Sequence, residues 1–179
     1  MEHIILRYGL VAIFLGAGIE GEPFAIAGGV LAHRHWLSAY GAALASIAGS
    51  CLIDQFWFHL SRHYHHSRMV RSVVRRPAFA RSLDLIERHP VLFVLLFRFA
   101  YGLRAVAPVA IGASKLPARL FIPLNMAAAI VWGSLFTAAG YFLGPAFEAA
   151  EARFGSAIAI ATICFSALVL ALALRRRHH

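Results

Sequence analysis

Cysteine, charged residues and strongly polar segments are scarce in this chain of 179 residues. The two cysteines, Cys51 and Cys164, lie far apart in apolar runs, which excludes a disulfide framework and a cysteine-based metal site. Charged residues are only 14% of the sequence and hydrophobic residues 60%, a balance that excludes an ordinary soluble domain. No phosphate-binding glycine loop, nucleotide motif or Ser-His or Ser-Lys arrangement is present, so neither an enzyme nor a cofactor or metal site is predicted.

Acidic residues are also few, eight against 17 basic residues, and the net charge is +9. Nearly all of the positive charge is arginine, since Lys115 is the only lysine. The chain has no soluble basic segment that would bind nucleic acid. Basic residues in so apolar a chain are typical of cytoplasmic loops and of contacts with anionic lipid. We therefore expect a membrane protein whose partners are the bilayer and a lipid.

Three segments, residues 36–60, 120–147 and 155–174, are long and apolar enough to cross a bilayer as helices. Residues 4–19 are shorter and include Arg7, so they form either a first span or an interfacial helix. The predicted fold class is an all-α integral membrane protein with three to four spanning helices.

Two other apolar segments, residues 18–32 and 96–117, contain charges, glycine and proline. Proline removes a backbone donor, and the freed backbone groups must find partners away from lipid. We predict that both segments are re-entrant helical hairpins that face each other inside the protein. Pro23, Gly102 and Pro108 are the supporting residues at these breaks.

The two halves of the sequence resemble each other weakly. Pro23–Ile26 is similar to Pro108–Ile111, and Gly49-Ser50 matches Gly133-Ser134 at nearly the same offset. The charge pattern gives the two copies opposite orientations, which predicts an inverted repeat with a site at mid-membrane. Chance similarity among small apolar residues is the alternative interpretation.

The positive-inside rule orients this arrangement. Residues 61–90 carry seven arginines against two acids, which predicts a cytoplasmic loop, and the arginines after residue 174 place the C-terminus in the cytoplasm. The predicted organisation is one membrane domain over residues 1–179. Its parts are a first repeat at about 10–60, the basic loop 61–90, a second repeat at about 91–145 and a C-terminal span 155–174.

Five charged residues lie inside apolar segments: Glu20, Glu22, Asp54, Arg98 and Arg104. A charge at bilayer depth costs about 3 kcal/mol, so such residues persist where they face protein, water or an anionic ligand. The planar fork of arginine suits phosphate, and a carboxylate held away from water binds a proton more tightly. This set predicts either transport of a phosphorylated lipid with protons or a purely structural pairing of acids with arginines.

At these residues the chain resembles the DedA family, also called the SNARE-associated or VTT-domain family. The most specific signal is the pattern R-F-x-x-G-x-R-x-x-x-P, which begins at Arg98 and ends at Pro108. The other matching pieces are Phe14–Pro23, Gly49–Trp57, and Asn125 before Trp132-Gly133.

The resemblance implies two re-entrant loops and the transport or scrambling of lipids in the inner membrane of a bacterium. The implied substrates are undecaprenyl phosphate or phospholipids such as phosphatidylethanolamine. It also implies functional roles for a first-half glutamate, for Asp54 and for both arginines. We expect a flippase in which Arg98 and Arg104 bind the phosphate, while Asp54 and Glu20 or Glu22 carry the coupling proton.

Asn125 is expected to hydrogen-bond the backbone freed near a re-entrant loop. Three other functions stay open at this point. They are a proton-coupled small-ion antiporter, a non-selective phospholipid scramblase, and a non-transporting scaffold or membrane enzyme. A homodimer is compatible with the sequence.

Overall fold

The structure is a computed structural model that describes residues 2–64, 88–99, 104 and 106–154. Throughout these residues the regular structure is helical, as predicted. Most of the basic loop, Gly102 in the second break and the C-terminal span 155–174 lie outside the described residues.

The first repeat forms a helix, a sharp break, a short helix and a long helix. Gly21 makes the break, with a φ of 88° that side-chain-bearing residues rarely adopt. Pro23 lies in the first turn of the following helix, where its missing N–H removes no helical hydrogen bond. The three helices are α1 (Glu2–Ile19), α2 (Glu22–His33) and α3 (Ala39–His63).

The second repeat has the same order of elements in the residues described. A short helix runs into a 3-10 turn at Phe97–Phe99, and the next helix again has a proline, Pro108, in its first turn. The helices are α4 (Pro90–Leu96), α5 (Ala107–Ala113) and α6 (Ala118–Phe154). The shared order agrees with the sequence similarity of the two halves, while re-entry into the membrane and opposite orientation remain predictions.

Two helices in the described part of the chain are long and apolar enough to cross a bilayer. They are α3, Ala39–His63, and the part Ala118–Ala149 of α6, which correspond to the predicted spans 36–60 and 120–147. The apolar part of α1, Tyr8–Ile19, is shorter. A third or fourth span therefore stays a prediction.

Small residues let these helices approach closely. Gly49 of α3 lies against the carbonyl oxygen of Phe14 in α1, and Gly29 of α2 lies against that of Thr137 in α6, so a methyl group at either glycine would collide with backbone. Such small-residue contacts are typical of helices that pack within lipid. The chain divides into two compact units, Met1–Phe142 and Leu143–His179. All residues of the site described next belong to the first unit.

Candidate functional site

The centre of α3 presents a buried polar face. Ser46, Ser50 and Asp54 are all buried and recur every four residues, which places them on one side of the helix. On α6, Asn125 and Trp132 are also buried and lie seven residues apart, two helical turns along one face. Buried polar groups require partners, and the two arginines of the second repeat supply them to Ser50, Asp54 and Asn125.

Arg98 is enclosed by polar groups from α3 and α6. Its Nη2 atom lies 2.7 Å from Asp54 Oδ2, and the two side chains are 0% and 4% exposed. The same nitrogen donates a hydrogen bond of 2.7 Å to Asn125 Oδ1, and Nη1 donates to Ser50 Oγ. Because Asp54 Oδ2 makes no aligned hydrogen bond, its contact with Arg98 is an ionic one.

Arg104 lies at the rim of the same group of side chains. Its Nη2 atom donates to the carbonyl oxygen of Ala17 at 2.8 Å and to Ser50 Oγ at 3.0 Å. Its Nη1 atom lies 3.5 Å from Glu22 Oε1, with the two side chains 15% and 33% exposed. The guanidinium carbon lies 4.5 Å from the centre of the Trp132 ring, a cation–π contact.

Ser50 joins the two arginines, since its hydroxyl oxygen accepts a hydrogen bond from each of them. Two positive and two negative side chains therefore converge inside an apolar helical unit, and their formal charges balance. We call this group the arginine cluster; its members are Glu22, Ser50, Asp54, Arg98, Arg104, Asn125 and Trp132.

The structure distinguishes between the two glutamates that the sequence left open. Glu22, the first residue of α2, contacts Arg104, whereas Glu20 lies in the preceding turn and is exposed. The two predicted supporting prolines also differ, since Pro108 is buried and Pro23 is exposed. Both arginines and two of the three predicted carboxylates thus meet in one place.

Asn125 has a different partner from the one predicted. Its amide nitrogen donates to the carbonyl oxygen of Cys51 at 3.3 Å, which is backbone within α3 and not in either break. Its amide oxygen accepts from Arg98. Asn125 therefore fixes the guanidinium against α3.

Sequence reasoning did not assign Ser50 or Trp132 to the site. In the sequence, Ser50 belongs to the weak internal repeat and to the stretch Gly49–Trp57, and neither pattern assigns it a role. The spacing of Ser46, Ser50 and Asp54 is the signal in the sequence that points to Ser50. Polar residues at intervals of four form one stripe along a helix whose other faces are apolar.

The comparisons with known proteins show which family the chain belongs to. A model of the VTT domain matches residues 19–142, a stretch that contains every member of the arginine cluster. The chain belongs to the VTT-domain, or DedA, family. It is accordingly a membrane protein, as its named relatives are.

Several relatives of this VTT-domain protein are bacterial. It is 37% identical over 141 residues to the inner membrane protein YohD of Escherichia coli, an alignment that covers 79% of this chain and 73% of YohD. It is 26% identical to an uncharacterized membrane protein of Synechocystis, over 80% of this chain and 71% of the relative. It is 33% identical to the protein DedA of Escherichia coli over 40% of this chain and 33% of DedA. No solved structure matches the chain.

A second arginine contact holds the VTT domain together beside the cluster. Arg62, near the end of α3, donates to backbone carbonyl oxygens at the end of α5 and just beyond it. The acceptors are Gly112 at 3.2 Å, Ser114 at 3.0 Å and Leu116 at 2.6 Å. A cation that binds the unpaired carbonyls of a helix C-terminus stabilises that end, so Arg62 anchors α5 to α3.

Proposed function

We propose that this VTT-domain protein is a flippase that moves a lipid with a phosphate headgroup across the inner membrane of a bacterium. The substrate class is undecaprenyl phosphate or a related phospholipid. The observation that supports this most strongly is the shared hydroxyl of Ser50, at which two guanidiniums converge inside an apolar domain. Two forks of N–H donors aimed at one point suit the tetrahedral oxygens of phosphate.

In this proposal the two arginines have different tasks. Arg104 is partly exposed, and its ion pair with Glu22 is long, at 3.5 Å. A long, partly solvated pair is weak, so a phosphate can replace the glutamate at Arg104 at little cost. Arg98 is buried against Asp54 and Asn125. In the proposal it binds the phosphate after Arg104 has bound it.

The charge balance of the cluster supports coupling to protons. An anionic headgroup adds negative charge to a group that is already neutral, and uncompensated charge in a poorly solvated place is costly. Protonation of Glu22 or Asp54 restores the balance, and release of that proton on the other side of the membrane expels the lipid. Glu20, exposed just before Gly21, is the second candidate among the glutamates for proton uptake.

A vesicle assay tests the proposal. The purified protein is reconstituted, and translocation of an isotopically labelled lipid phosphate is followed with and without a pH gradient. We expect transport by the wild type and none by Arg98→Ala or Arg104→Ala, with all three proteins inserted. Normal transport by either variant ends this assignment.

The same vesicle assay distinguishes the proposed function from the alternatives. Ion flux without any movement of lipid indicates an antiporter. Equal movement of lipids with neutral and with phosphate headgroups indicates a scramblase. A wild type that moves neither lipid nor ions indicates a scaffold.

A further inference from the structure

An apolar groove runs along the outside of the first repeat, between α1 and α3, with a volume of about 250 Å³. Its floor is a close contact of two glycines, since a methyl group added to Gly18 would lie 3.0 Å from the carbonyl oxygen of Gly49. Its walls carry only hydrocarbon side chains. They are Phe14, Leu15 and Ile19 of α1 and Leu52, Ile53 and Phe56 of α3.

The groove and the arginine cluster lie on neighbouring faces of the same two helices. Gly18 follows Ala17, whose carbonyl oxygen accepts from Arg104, and Gly49 precedes Ser50, which accepts from both arginines. The two sites therefore lie at the same level along each helix, offset by about 1.5 Å along the axis and by about 100° around it. At the end of α1 the groove reaches Ile19, two residues before Gly21, which lies against the guanidinium of Arg104.

We infer that this groove binds one hydrocarbon tail of the lipid whose phosphate contacts Arg104. The inference rests on the proposed function and adds to it the place of the tail. A lipid phosphate needs an apolar track and a cation at fixed separation. The groove between α1 and α3 supplies the track, and Arg104, which hydrogen-bonds to both helices, supplies the cation. Because Arg104 is partly exposed, the headgroup reaches it without unfolding of α1 or α3.

The shape of the groove favours a single chain. Its width is set by two helices that touch at Gly18 and Gly49. Four of its wall residues are more than half exposed: Leu15, Ile19, Leu52 and Phe56. A tail laid between them makes van der Waals contact with both walls, which fixes the direction of the tail. The tail of an acyl lipid and that of an isoprenoid lipid share this chemistry.

A substitution that fills the groove tests the inference. Leu52→Trp narrows it from α3, and Leu15→Trp narrows it from α1. The matched control is Leu44→Trp, on the same helix as Leu52 and similarly exposed (66% against 55%), but outside the groove. We expect each groove variant to lower lipid-phosphate transport about tenfold, since the bulky ring removes the van der Waals contacts of the tail with the walls, and the control to match the wild type.

Photolabelling tests binding without relying on transport. The purified protein in vesicles is irradiated with lipids that carry a diazirine in the tail, in three arms: an acyl lipid phosphate, an isoprenyl phosphate, and an uncharged lipid alcohol. We expect phosphate lipids to label residues 14–19 and 52–56 well above the exposed part of α6 that contains Ile130, Val131 and Leu135. The acyl and isoprenyl arms report which tail is preferred.

The outcomes keep the two proposals apart. Equal labelling of the groove and of α6 overturns the inference, as does wild-type transport by both groove variants. Either result leaves the roles of the arginines intact. If the wild type transports no lipid, the proposed function fails, and labelling concentrated in the groove by phosphate lipids still supports a lipid site there.

Discussion

Arg98 and Asp54 form a buried ion pair, with Nη2 and Oδ2 2.7 Å apart, between the 3-10 turn after α4 and the middle of α3. Desolvation of both charges cancels most of their attraction, so such a pair adds little net stability. Loss of one partner is costly, however, because it leaves the other charge buried without compensation.

This asymmetry predicts the stability of two variants. Asp54→Ala should lower the free energy of unfolding by about 3–5 kcal/mol, because the guanidinium of Arg98 cannot lose its proton. The double variant Asp54→Ala/Arg98→Met should recover a large part of that loss and still fail to transport lipid. Unfolding of the detergent-purified proteins measures the first effect, and the vesicle assay measures the second. A double variant less stable than Asp54→Ala would contradict the account.

The role of the Ser50 hydroxyl can be tested with Ser46, one helical turn away, as the control. Ser50→Ala removes the acceptor shared by Arg98 and Arg104, which should cost about 1–3 kcal/mol and abolish most transport. Ser46→Ala changes the same residue type on the same buried face, but Ser46 Oγ has no hydrogen-bond partner among the described residues, so this variant should be neutral. Equal activity of the two variants would show that the shared hydroxyl has no function.

Gly21 is expected to resist substitution for two reasons. Its φ of 88° disfavours any side chain, at a cost of about 1–3 kcal/mol, and a methyl group would collide with the guanidinium of Arg104. Gly21→Ala should therefore reduce both stability and transport. The control Gly41→Ala, in the first turn of α3, meets flexible side-chain atoms of Leu10 at 3.3 Å and Ser38 Cβ at 3.5 Å, and should be neutral in thermal unfolding and transport. An active, stable Gly21→Ala protein would refute this role of the break.

The shape of the Arg104 side chain should matter as much as its charge. Arg104→Lys keeps the charge but loses the fork that reaches Ala17, Ser50 and Glu22 together. We expect roughly tenfold less lipid-phosphate transport, equivalent to about 1.4 kcal/mol, with normal insertion. The same change at the exposed Arg119 of α6 is the control and should have no effect. Full activity of Arg104→Lys would show that a point charge suffices.

The sequence predicted the long helices because their apolar runs match the thickness of a bilayer. The prediction for residues 36–60 differs from α3 by only three residues at each end. The predicted span 120–147 agrees with the apolar part Ala118–Ala149 of α6 within two residues at each end. Helix α6 continues to Phe154 since the following residues, rich in Ala and Glu, are strong helix formers.

The sequence also identified the charged residues of the cluster, because fixed charges in apolar segments require partners. It could not choose between Glu20 and Glu22, since that choice depends on the turn at Gly21, which exposes one carboxylate and directs the other to Arg104. Nor could it show that Ser50 joins the arginines, because this contact depends on how α3 is rotated against the second repeat.

The most direct test of the account is the fluorescence of Trp132, whose ring lies 4.5 Å from the guanidinium of Arg104. Trp36→Phe/Trp57→Phe leaves it as the only one of the three tryptophans. Titration with a short-chain lipid phosphate should change its emission saturably, with no change for the uncharged lipid alcohol or after Arg104→Gln. An equal response to phosphate and alcohol, or one that survives Arg104→Gln, would contradict the claim that the phosphate binds Arg104.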